Sequence, residues 1–270
     1  MYARALKPLA LVTAGVVAVA FGLIFFWAPL DADQGFIQKI FYLHVPLAIV
    51  ALLGFLGAGV MGALHLRTRD RRWDVRSYVA VHLSIILAVG VLVTGSIWAK
   101  ASWGHWWVWS EPVLVSFLIT FLLYAVYQPL RFSIDDPERQ ARYASVFAIA
   151  GAAFTVLNFV AVRMAQAYTH PRVFSETGGN MPARMFVTFL VALAAMALVF
   201  ATLWTLELGS KRASERLRRA RRRRERAADR EELVALGRPG GEAVPGARSR
   251  AAGGADGALQ PAATPSTAPR

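Results

Sequence analysis

Six stretches of this chain each run for about 20 residues without a lysine, arginine, aspartate or glutamate. They lie near Pro8–Leu30, Val45–Leu64, Tyr78–Ala99, Pro112–Leu130, Tyr143–Val162 and Met185–Leu206. A helix needs roughly 20 apolar residues to cross about 30 Å of hydrocarbon. Buried strands run only about 4–8 residues, so the Val, Ile and Phe in these runs do not argue for a sheet. The spans fill most of the chain before residue 208. The expectation is an all-α, polytopic integral membrane protein with six transmembrane helices. Composition agrees: 56% of residues are hydrophobic, against about 45–50% in an ordinary soluble domain. The first run has no A-x-A-like cleavage site after it and is too long for a signal h-region. It reads as a retained helix.

Basic residues orient the spans. One set of loops holds Arg4, Lys7, Arg67, Arg69, Arg71, Arg72, Arg76, Arg131, Arg139 and Arg142. The opposite set, at 31–39, 98–111 and 167–183, holds Lys39, Lys100 and Arg172. The bias places the first set, and both termini, in the cytoplasm. Residues 211–230 carry eleven basic and three acidic side chains, or +8 of the net +13. The chain therefore divides into a six-helix transmembrane domain at 1–207, a basic cytoplasmic helix at 208–236 and a tail at 237–270. Membrane lipid, not nucleic acid, is the expected partner of the basic helix. Each basic residue near anionic head groups contributes roughly 1 kcal/mol. The tail is rich in Gly, Ala and Pro without an apolar cluster. It cannot bury enough surface to offset ordering entropy, so it is expected to be disordered.

Cysteine is absent. That excludes disulfides, thiolate metal sites, iron–sulfur clusters, thiol catalysis and a covalent C-x-x-C-H haem site. No nucleophile–base constellation or phosphate loop is present, so an enzyme is not expected. Topology sorts the five histidines. His65 closes the second span on the basic side and reads as a solvated loop residue. His82 lies one turn into the third span, with no acid in view. His44, in Tyr42-Leu43-His44-Val45-Pro46, and His170, in Tyr168-Thr169-His170-Pro171, both fall at the outer interface but on different spans. Neutral imidazole is a good ligand for iron, zinc or copper.

Of eight tryptophans, five fall within twelve residues: Trp98, Trp103, Trp106, Trp107 and Trp109. An interfacial aromatic belt spreads such residues over many helix ends, whereas here they crowd one loop. If the loop is helical, Trp103, Trp106 and Trp107 share a face. That face would be a flat apolar platform for a planar macrocycle, with imidazoles as axial ligands.

Trp103-Gly104-His105-Trp106-Trp107-Val108-Trp109 resembles the W-G-x-x-W-x-W-D signature of haem-handling membrane proteins. Gly95-Ser96-Ile97-Trp98-Ala99-Lys100, the Tyr42–Pro46 element and His170-Pro171 resemble elements of the CcmC (haem exporter protein C) family in the same order. The resemblance covers roughly residues 36–207. Two departures stand out: Ser110 replaces the family's Asp, with Glu111 following, and no Arg appears in the run to Leu114.

The resemblance implies a protein of the cell inner membrane that binds b-type haem non-covalently at its outer face. It would present that haem to the haem chaperone CcmE for maturation of c-type cytochromes, beside the ABC transporter-like subunits CcmA and CcmB and the small protein CcmD. His44 and His170 would be axial iron ligands. Trp103, Trp106, Trp107 and Trp109 would pack on the macrocycle, and Lys39 would pair with a propionate. The residues themselves add Arg163 and Arg172, whose guanidinium groups suit a carboxylate. His105 occupies a variable slot of the signature and is left out of the ligand pair. The rival expectation is a proton- or ion-coupled transporter with interfacial tryptophan anchors, which calls for acids inside the spans.

Overall fold

A computed structural model describes residues 2–164 and 181–236. Among the described residues there is no β structure beyond an isolated bridge between Asp31 and Gly35, and six helices are long and apolar enough to cross a membrane. The all-α expectation and the count of spans hold. The chain divides into two compact units, residues 1–214 and 215–270. In the second, residues 215–236 are helical and Arg216, Arg218 and Arg221–Arg224 are exposed. The tail at 237–270, expected to be disordered, lies outside the described residues.

The helices are α1 (Tyr2–Gly22), α2 (Phe41–Thr68), α3 (Arg71–Trp103), α4 (Pro112–Ala125), α5 (Tyr127–Phe132), α6 (Pro137–Met164) and α7 (Ala183–Leu236). The fourth span is built from α4 and α5 together. Within the first unit, α2 is central and packs on both α3 and α6. Its small residues make this possible. A Cβ on Gly59 would come within 2.4 Å of the Ala152 Cβ on α6. Close backbone approach of this kind is how helices gain dispersion contacts where no hydrophobic effect separates protein from lipid. Phe55 on α2 stacks on Tyr124 of α4 with ring centroids 3.7 Å apart. Ala58, Ala80, Val81, Ala88, Tyr127, Ala144 and Ala148 complete that core.

The first span ends in a π-helical turn, Leu23–Trp27, before a loop and a short 3-10 turn, Phe36–Ile40. Lys39 on that turn is buried, and its ammonium donates to the carbonyls of Ile24 and Ala28. Arg184 donates to the Trp27 carbonyl. Both cations satisfy carbonyls that a helix end leaves unpaired. Further along, the hydroxyls of Thr13 and Thr202 meet at 2.7 Å and tie α1 to α7.

The end of the bundle where α2 finishes and α3 begins carries the loop arginines; we call it the basic end. Asp70 caps α3, accepting from the Arg72 backbone N–H at 2.9 Å and from Arg72 Nε at 2.8 Å. Those bonds hold its carboxyl below the ordinary carboxylate range. Two histidine expectations change here. His65 is buried, with Nδ1 3.1 Å from the Asp70 carbonyl oxygen. The reason is that α2 continues past it to Thr68 and the turn folds back over it. His82 does have an acid in reach. Glu207 of α7 lies 3.0 Å from its Nδ1, and Lys211 stands 3.6 Å from the same carboxylate. Glu207 follows the last apolar run by one residue, so a window on hydropathy leaves it out.

Candidate functional site

The opposite, tryptophan end of the bundle opens into a cavity of about 310 Å³. This lies at the small end of the usual range for ligand pockets, about 300–1,000 Å³. Four helices each give it one stripe of side chains at helical spacing. From α2 come His44, Val45, Ala48, Ile49 and Leu52, and from α3 come Val91, Leu92, Gly95, Trp98, Ala99 and Trp103. From α4 come Val113, Leu114, Ser116, Phe117 and Thr120, and from α6 come Thr155, Asn158, Phe159, Val162 and Arg163. Trp107 closes the set from the loop. Eight residues separate His44 from Leu52 and Thr155 from Arg163, so at 1.5 Å per residue the cavity reaches about 12 Å into the bundle.

The deep polar side chains are already spent on the protein. Thr120 donates to the Ser116 carbonyl at 3.0 Å and Thr155 to that of Gly151 at 2.8 Å. Asn158 Nδ2 donates to the Ser116 carbonyl at 2.9 Å and to Thr120 Oγ1 at 3.0 Å. The interior thus behaves as an apolar slot, and distinctive chemistry is confined to its mouth. There stand His44, Trp98, Trp103, Trp107 and Arg163, whose guanidinium carbon sits 5.3 Å from the centre of the Phe159 ring. The indole N–H of Trp107 is buried and has no hydrogen-bond partner among the described residues. A buried donor left open in a cavity is one a ligand can satisfy.

The tryptophan loop is not helical, so the condition for a shared Trp103, Trp106 and Trp107 face is not met. Helix α3 stops at Trp103 because Gly104 adopts φ +78°, the left-handed conformation that glycine takes without strain. Lys100 then donates to the Gly104 carbonyl at 2.8 Å and covers the helix end. With residues 104–111 non-helical, the i, i+3, i+4 rule no longer applies. Trp103 and Trp107 line the cavity, while Trp106 and Trp109 are 60% and 73% exposed. Trp109 remains in edge contact with Trp107, ring centroids 5.9 Å apart.

Of the residues singled out from the sequence, the structure gathers His44, Trp103, Trp107 and Arg163 around one cavity. Lys39 is not among the lining residues; it is engaged with the carbonyls of the first span. His170 and Arg172 lie outside the described residues. The displaced acid is informative. Ser110 is exposed, whereas Glu111 is fully buried at the N-terminus of α4, with Pro112 in the first turn. A carboxylate is favoured there by the helix dipole.

The sequence reading counts Trp98 in the cluster but gives it no ligand contact; it packs edge-on to Trp103 at 4.8 Å and donates to Gln34 Oε1 at 3.1 Å. Its place in the Gly95–Lys100 element was the available signal. Nothing in the sequence marked Thr120, Thr155 or Asn158.

The family described as "Heme exporter protein C" matches residues 1–226 of the chain. Relatives carrying that name include one from Bradyrhizobium diazoefficiens, 34% identical over 222 residues, which cover 80% of this chain and 81% of the relative. Another, from Rhodobacter capsulatus, is 30% identical over 201 residues, covering 67% of this chain and 81% of the relative. A third, from Escherichia coli, is 32% identical over 143 residues, 52% of this chain and 58% of the relative.

Proposed function

The chain belongs to the haem exporter protein C family, and on that footing we propose that it takes haem into the cavity between α2, α3, α4 and α6 and presents it to the chaperone CcmE for maturation of c-type cytochromes. It is a multi-pass membrane protein of haem handling. One observation carries the finer reading: an imidazole, three indoles and a guanidinium meet at the mouth of a single apolar slot.

Each group has a fitting task. His44 offers an imidazole nitrogen to iron. Trp98, Trp103 and Trp107 offer aromatic faces and edges to a macrocycle. Arg163 suits a propionate carboxylate. His170 would supply the second axial bond and Arg172 a further propionate contact. Trp106 and Trp109, exposed beside the mouth, would meet the edge that the partner approaches. A macrocycle entering this slot would be held by side chains of all four helices as well as by the tryptophan loop.

The haem would be held non-covalently, as b-type haem; the lack of cysteine supports this by ruling out a thioether bond to a vinyl group. Bond formation to the partner draws on the reactivity of haem itself, while this protein orients and shields it. It is not an enzyme in that sense. The charge bias of the loops supports cytoplasmic termini and a tryptophan end on the outer side; the family supports the inner membrane as its location. CcmA, CcmB and CcmD would assemble with it.

The test is an absorption spectrum of the detergent-purified protein, oxidised and reduced, beside the double variant His44→Ala/His170→Ala. A haem spectrum that weakens or shifts in the variant is expected. Equal haem content and equal transfer to CcmE in both would overturn the axial assignment.

The rival reading, a proton- or ion-coupled transporter, is favoured by one observation: the His82–Glu207 pair supplies the acid that the apolar runs lack. It predicts that Glu207→Gln abolishes function while haem binding is irrelevant to it.

A further inference from the structure

We infer that Thr94 is a positioning residue that sets the tautomer of His44 and so leaves Nε2 as the electron-pair donor of the ring. The role toward iron rests on the haem reading above; the tautomer itself does not.

The available protons fix the tautomer. Thr94 Oγ1 lies 2.7 Å from the Gly90 carbonyl oxygen and 3.2 Å from that of Val91. A carbonyl only accepts, and a hydroxyl has one proton, so the Thr94 proton is directed at the backbone. The same oxygen lies 2.9 Å from His44 Nδ1. With its proton committed, the hydroxyl accepts there, and Nδ1–H donates. A neutral imidazole carries one N–H, so its lone pair resides on Nε2.

Ring position is constrained from the same helix. Gly95, the neighbour of Thr94, has no side chain, and a Cβ in its place would stand 2.9 Å from His44 Cε1 and 3.5 Å from Nδ1. One turn further on, Trp98 lines the cavity. Thus α3 seats an imidazole contributed by α2 and lines the cavity beside it. Histidines that ligate metals commonly fix their tautomer and orientation through the nitrogen that does not ligate. The acceptor is usually a carboxylate, a carbonyl or water. A threonine hydroxyl does the orienting without adding negative charge, so it raises ligand basicity less than a carboxylate would. That chemistry suits an iron bond that has to be released to a partner.

The experiment uses the full chain in detergent, with the variants Thr94→Val, which keeps shape and loses the hydroxyl, and Thr94→Ser, which restores it. The first readout needs no haem: ring nitrogen shifts of ¹⁵N-histidine-labelled protein, with His44→Gln to assign the resonance. The parent and Thr94→Ser are expected to show protonated Nδ1 and unprotonated Nε2. Thr94→Val is expected to lose that single state. A parent with Nε2–H, or a Thr94→Val protein with unchanged shifts, overturns the inference. The second readout is haemin titration followed by absorbance. Loss of an outer-shell partner of a metal ligand typically costs about 10–100-fold in affinity. Thr94→Val should fall in that range and Thr94→Ser should stay near the parent. Equal affinity in Thr94→Val and the parent overturns the role toward iron. If the parent binds no haemin, the haem reading fails, and the nitrogen shifts still decide the tautomer.

Discussion

Gly95 and His44 meet where α2 and α3 converge at the tryptophan end: a Cβ on the glycine would stand 2.9 Å from the imidazole Cε1. That distance is shorter than any ordinary carbon contact, so one of the two groups must move when a side chain is added. The imidazole is the movable partner, since Gly95 lies in the regular helix α3. Gly95→Ala is expected to fold and to lower haemin affinity by about 10–100-fold, read by titration. An unchanged affinity would mean that His44 does not need this seat.

The tryptophans should separate into two groups. Trp103 and Trp107 line the slot, while Trp106 and Trp109 are largely exposed. Aromatic contacts are worth about 0.5–1.5 kcal/mol beyond area burial, so Trp103→Leu or Trp107→Leu should weaken haemin binding by about two- to twelvefold. Trp106→Leu or Trp109→Leu should leave binding near the parent and reduce transfer to CcmE. Equal losses of binding in all four variants would restore the platform geometry.

Lys39 provides a test of structural against ligand roles. Its ammonium lies on the Ile24 and Ala28 carbonyls, and Lys39→Met leaves both without that donor. Loss of a buried charge-assisted bond of this kind costs about 1.5–3 kcal/mol. The expected outcome is a lower Tm in detergent with haemin affinity retained. Retained Tm with lost affinity would assign Lys39 to a propionate.

At the basic end, Arg131 donates to Asp74 through two bonds, 2.7 and 2.8 Å long, with both side chains buried. Arg131→Met strands the carboxylate, and breaking a buried pair from one side costs about 3–5 kcal/mol. The double variant Asp74→Leu/Arg131→Met removes the stranded charge as well and should recover much of the loss. Thermal unfolding of the two variants compared with the parent checks this, and equal destabilisation in both would show that packing around the pair, not its charge, is what matters.

The His82–Glu207 contact distinguishes the two functional readings. Glu207→Gln keeps the size of the side chain and removes its charge. Under haem presentation, haemin affinity and transfer should both be retained. Loss of transfer with intact haem binding would favour coupling through this pair.

Much of this protein was legible without coordinates, because a bilayer imposes a one-dimensional rule. A run such as Tyr78–Ala99 must be a membrane-spanning helix, since every backbone polar group in lipid has to be satisfied within its own segment. Helix number, the end at which Trp98 to Trp109 gather, and the candidacy of His44 all follow from counting along the chain. What surrounds those residues does not. The slot exists because α2, α3, α4 and α6 pack with one stripe each turned inward, and the rotation of a helix about its axis is set by its neighbours. Gly104 ended α3 and left the tryptophan loop non-helical, a point the sequence leaves conditional. Thr94 reached His44 across 50 residues, and Glu207 reached His82 across 125. Lys39 took carbonyls of the first span as its partners. Sequence determined which groups lie at each end of the bundle, through hydropathy and charge; only tertiary packing decided which of them touch, because hydrogen bonds and van der Waals contacts depend on a few ångströms that no pattern along the chain encodes.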